Sequence, residues 1–155
     1  MLDDKALFDH AAEFAAFHFN EKGELAPMWL LDNGKDHIYC VLTPFTGDDS
    51  KDNAVKVIKE IIKEKGIVRA AFMAEAWEVV VRKGQPEYDH PEDFRPSEHE
   101  DRREIIQLSV ESKDGIMMGG YYILRPEHGK ATLSPLKCEE MTNDYGGKFS
   151  GLFTS

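Results

Sequence analysis

Near the start of the chain an Asn-Gly pair stands between two β-prone runs: APMWLL, then DNGKD at 32–36, then HIYCVLTPF. Asn and Gly both accept positive φ, which the two-residue hairpin turn demands, so the flanking runs are expected to pair antiparallel. The strands are placed at 26–31 and 37–44. DNGKD also resembles the opening of a calcium loop, but it lacks the later ligands and the glycine at the required position. It is read as a turn.

A hairpin needs cover, and helix-forming segments flank this one. Residues 4–19 repeat Leu7, Phe8, Ala11, Phe14, Ala15 and His18 at spacings of three and four, behind a cap at Asp3 or Asp4. Gly23 offers the left-handed position that ends such a helix. After TGDDSKDN, with Asp49 or Ser50 as cap, a second stripe runs through Ala54, Val57, Ile58, Ile61, Ile62 and Lys65 and stops at Gly66. The run IVRAAFMAEAWEVVV at 67–81 fits either period. A helix has just ended and β-branched residues crowd both of its ends, so a strand is expected. EIIQLSVE, SKDG and IMMGGYYILR form another hairpin, and PEHGK turns the chain into ATLSPLKC. Gly119 and Gly120 inside a strand permit a bulge or a close backbone approach.

The expected fold is α+β: one two-layer domain over 1–155, in the order α-β-β-α-β-β-β-β. Its sheet of about six strands is mixed and mostly antiparallel, covered by two amphipathic helices, and the hairpin–helix–strand step allows one parallel pairing. A long acidic connection spans 82–103. The tail at 139–155 is rich in turn formers and is either mobile or docks Phe149, Leu152 and Phe153 on the body or on a partner.

Charge narrows the functional classes. The net charge of −10 argues against general nucleic-acid binding. A DNA mimic that occupies another protein's basic groove is the sharper reading of that acidity, and solubility the plainer one. The first residues are acidic where a signal peptide is basic, and no apolar run approaches membrane-spanning length, so a cytoplasmic location is expected. Cys40 and Cys138 form no CxxC pair and are read as reduced core residues.

Half the net charge sits in residues 87–104, where eight acids face three arginines. Connections this long are usually functional or disordered. Ser97 and Glu100 have the spacing of a capping box, so a one-turn helix at 98–102 accounts for some of the acids. Asp101, Arg102, Arg103 and Glu104 are expected to pair locally. Two chemistries remain. The favoured one is a non-catalytic module that binds a protein or a small ligand, with Glu75, Trp77, Glu78, Tyr88 and Phe94 around the connection. Trp29, Tyr39, Tyr121 and Tyr122 are further candidates for aromatic surface.

The alternative is a metal-assisted hydrolase in which His90, Glu92, His99 and Glu100 hold a divalent ion, the donor types that zinc, manganese or iron accept. Burial of Glu75 or Glu78 beside Trp77 would suit such a site with a general acid or base. No resident cofactor is expected under the favoured reading. The motifs GxxxxGK[ST], GxGxxG after a strand, HExxH and GxSxG are all missing. GGKFSG at 146–151 has the wrong spacing for a phosphate loop. An open sheet edge and an apolar tail make a homodimer plausible.

Overall fold

The computed structural model describes residues 3–43, 48–78, 102–141 and 152–153, with side chains described except at 48–51 and 138–141. Its elements are α1 (Asp4–Lys22), β1 (Met28–Asp32), β2 (Ile38–Leu42), α2 (Asp48–Lys65), β3 (Arg69–Glu78), β4 (Arg103–Ser112), β5 (Gly115–Leu124), β6 (Thr132–Leu133) and β7 (Lys137–Met141). The fold is α+β, and the ambiguous run after Gly66 is a strand. The expected single strand in ATLSPLKC is two, with Pro135 between β6 and β7. Both lie along β5, β7 on residues 116–120 and β6 on 123–124.

The sheet order is β2-β1-β3-β4-β5, and every pairing among the described residues is antiparallel. The expected parallel pairing is absent for a topological reason. β2 and β3 do run the same way, joined across α2, but β1 lies between them and pairs with both. The crossover therefore passes over one strand instead of joining neighbours.

The expected two layers also become three at the centre of the sheet. β1 is buried along its whole length. Met28 and Leu30 join Leu7, Phe8, Ala11, Ala15 and Phe19 of α1, while Trp29 and Leu31 join Ile58 of α2. In β3, Ala71 and Met73 face α1, and Ala70, Phe72 and Ala74 face the other way. These two strands are apolar at both parities, so both faces need cover, and each receives a helix. Trp29, read earlier as surface, is fully buried and donates its indole N–H to Thr43 Oγ1 at 2.8 Å.

The caps of α1 follow the sequence, whereas α2 begins at Asp48 and takes the expected cap residues Asp49 and Ser50 into the helix. Asp3 accepts the N–H of Ala6 at 2.7 Å, and Gly23 ends α1 at φ 76°. The buried stripe of α1 finishes on Phe19 where His18 was expected. His18 is half-buried, with its ring 4.4 Å from that of Phe14. On α2, Ala54 and Ile58 are buried, but Val57 is 47% exposed. The hairpin is present, but its strands are joined across 33–37 and not by a two-residue turn: Gly34 alone takes positive φ, and Asn33 Oδ1 accepts the N–H groups of Lys35, Asp36 and His37.

Three further details position the rest. Asp4, at the start of α1, accepts from Arg69 Nε at 2.8 Å and from Ser112 Oγ at 2.8 Å. The same guanidinium stands 3.6 Å from buried Asp32, whose Oδ1 accepts the N–H of Gly34. On the opposite face Leu152 is buried against the α2 cluster and donates its N–H to Glu111 Oε2 at 2.9 Å. Cys40 lies exposed on β2, contrary to the core placement expected for it, because β2 is an outer strand of the sheet.

Candidate functional site

The acidic connection leaves the sheet at the end of β3 and returns at the start of β4. Tyr88, His90, Glu92, Phe94, His99 and Glu100, together with the capping box at Ser97, lie outside the described residues. What the structure describes is the sheet end that receives this connection.

Strand alternation sorts that end into two faces. In the register Trp77 lies opposite Glu104 and Glu78 opposite Arg103. Glu75 and Trp77 therefore share the α1 face with Glu104, while Glu78 shares the α2 face with Arg103. The structure brings Glu75 and Trp77 to one side and sets Glu78 on the other.

On the α1 face Trp77 is 40% exposed, large for an indole, and the Arg102 guanidinium lies 5.0 Å from its ring. This is the geometry of a cation held on an aromatic face. Glu75 is exposed and accepts the backbone N–H of Leu25 at 3.1 Å, which ties the α1–β1 connection to the sheet. Burial of Glu75 beside Trp77, the condition for a tuned acid or base, is not found. Glu104 holds Arg125 through both carboxylate oxygens, and this raises the Arg125 pKa.

The α2 face is built around Tyr122. Its hydroxyl donates to Glu78 Oε1 at 2.8 Å. Arg103 lies 5.6 Å and Lys137 4.7 Å from the ring centroid. The Glu78 carboxylate pushes the phenol above its ordinary value; burial and the charge of Glu78 add to this, and Arg103 works against it. Glu78 is thus a half-buried acceptor for a tyrosine.

Arg102, Arg103 and Glu104 were expected to pair locally along the chain. They reach across the sheet, to Trp77, Tyr122 and Arg125, while Asp101 lies outside the described residues. The signal that identifies these partners is the strand register, and a single sequence states it only once β4 and β5 are aligned. Tyr121, the neighbour of Tyr122, points to the other face, where it packs on the α1 cluster and donates to the Ala12 carbonyl at 3.1 Å.

Among the described residues no group of three or more His, Cys, Asp or Glu side chains is arranged to hold a metal ion. No helix among them is long and apolar enough to cross a membrane. Comparison with protein-family models, with curated proteins and with solved structures found no match.

Proposed function

We propose that this chain is a non-catalytic cytoplasmic binding module whose partner site is centred on Trp77. One observation carries the reading. A tryptophan two-fifths exposed, with an arginine laid against it, stands where the acidic connection enters and leaves the sheet. Exposed Trp and Arg are the residue types that anchor partners, since a flat ring buries a large area at small entropic cost. The segment 87–104, which follows β3 in sequence, carries eight acids against three arginines, so the partner proposed is a basic protein segment.

Calorimetric titration against a panel of Lys- and Arg-rich peptides, with matched acidic ones, tests this. The basic peptides should bind saturably, more weakly as salt rises. Binding should vanish in Trp77→Ala while the thermal melt stays within about 1 kcal/mol of the parent. A panel that does not bind, or binding that persists unchanged in Trp77→Ala, overturns the reading.

A further inference from the structure

The β2 edge is the second surface that requires an occupant. Thr43 donates its N–H to the Pro27 carbonyl, and Asn33 donates to that of His37. Odd-numbered residues of β2 therefore turn their amides toward β1. In an antiparallel ladder these positions alternate, so the N–H and C=O groups of Ile38, Cys40 and Leu42 face away from the sheet. The side chains of the same three residues lie on the α1 face, since Cys40 pairs with Leu30 and Leu42 with Met28. α1 packs on β3, β4 and β5. No element among the described residues covers the stripe, and Ile38 is 39% and Leu42 61% exposed.

Outer strands are normally protected by charge, proline or a bulge. The five residues of β2 carry none of these: no charged side chain, no proline, and an unbroken register with β1. Its surroundings also differ from the rest of this acidic molecule. Asp36 is paired with His37 at 2.8 Å, and Lys65 stands 5.8 Å from the Tyr39 ring. Two chains of net charge −10 repel over most of their surfaces, whereas the five residues of β2 carry no charge of their own.

We infer that β2 pairs with β2 of a second copy of this chain, antiparallel about a two-fold axis through Cys40. Only that register pairs all three outward positions: Ile38 meets Leu42 of the partner copy, Cys40 meets its own counterpart, and Leu42 meets Ile38. All three outward positions then bond reciprocally, and the two apolar stripes merge on one face. A five-residue edge is short of the roughly 1,200 Å² of a standard interface, so the association is reversible and concentration-dependent. It is independent of the site at Trp77.

The register makes a specific demand. Directly opposed residues in a hydrogen-bonded antiparallel pair have Cα atoms about 5.5 Å apart, within the span of a disulfide. In a Cys138→Ser background, diamide should withdraw the two thiol hydrogens and leave a covalent dimer joined at Cys40. With the thiol moved to the exposed turn (Cys40→Ser, His37→Cys), it faces Thr43 of the partner copy, and the covalent dimer should not form. Sedimentation equilibrium of the untreated full chain should show a monomer–dimer equilibrium. Leu42→Lys should abolish both the equilibrium and the crosslink without lowering the melt. A monomer at every concentration, or equal crosslinking from positions 37 and 40, overturns the inference.

Discussion

Gly120 shows how little room one position leaves. A Cβ built there would lie 2.0 Å from the Ile106 carbonyl oxygen, a backbone atom that cannot swing aside. The register across β4 and β5 is continuous, so of the two options for this glycine pair the structure has the close approach and no bulge. Gly120→Ala should cost about 1–3 kcal/mol by overpacking, read as a lowered denaturant midpoint with an unchanged slope. Tyr122 makes a second prediction at this scale. Its folded pKa is raised, so folding favours the protonated phenol. That contribution is complete below the unfolded tyrosine range near pH 10 and is lost as pH climbs through the folded value. Ultraviolet titration, differenced against Tyr122→Phe, should place Tyr122 above an ordinary tyrosine. Glu78→Gln should bring it back down, because the carboxylate is the first cause of the shift.

Elements were legible wherever a local rule decides them. The Asp3 cap, the Gly23 and Gly66 stops and the Asn33–Gly34 turn each depend on a few neighbouring residues, and each is where the sequence places it. Partners across the sheet were not legible. That Arg102 reaches Trp77, or that Asp4 reaches Arg69 across 65 positions, follows from strand order and register, which a local pattern does not contain. The two helix stripes each failed at one member, His18 on α1 and Val57 on α2, for a related reason: the sheet face, and not the periodicity, decides which side of the helix is covered. The Arg69 cluster carries the prediction here. Its guanidinium serves both Asp4 and buried Asp32, so Arg69→Met leaves two carboxylates without a counter-ion. The melt should fall by roughly 3 kcal/mol, well beyond the ~1 kcal/mol expected from Asp3→Ala at the nearby cap.

For the whole molecule, the α+β class and the element order could be read from amphipathic stripes and turn residues. Three features could not: antiparallel pairing among all the described strands, a helix on each face, and β1 in the interior of the sheet. A strand's neighbours depend on the entire path of the chain. The candidate site divides in the same way. Trp77 was visible as an aromatic at a strand end, but Arg102 against its ring, and Arg103 and Lys137 against Tyr122 on the other face, were not. Metal analysis belongs to this scale as well. The binding-module reading expects no stoichiometric metal after purification and no change of melt in chelator or added zinc, manganese or nickel. A ligand bound only by the folded state adds about 2.7 kcal/mol at a hundred times its Kd. A melt that falls in chelator would transfer the assignment to the metal-assisted hydrolase of His90, Glu92, His99 and Glu100.

The doubly covered β1 strand carries a consequence for how the fold opens. It has a strand on either side and a helix over either face, so none of its amides meets solvent unless α1, α2, β2 or β3 first moves away. The amides of Met28, Leu30 and Asp32, which face β3, should exchange with deuterium only through global opening, whereas those of Trp29 and Leu31 face β2 and should exchange once that strand detaches. The outward amides of β2, one strand away, should exchange by fraying. A sheet that loses its protection one strand at a time would thus retain β1 and β3 as its last structured pair.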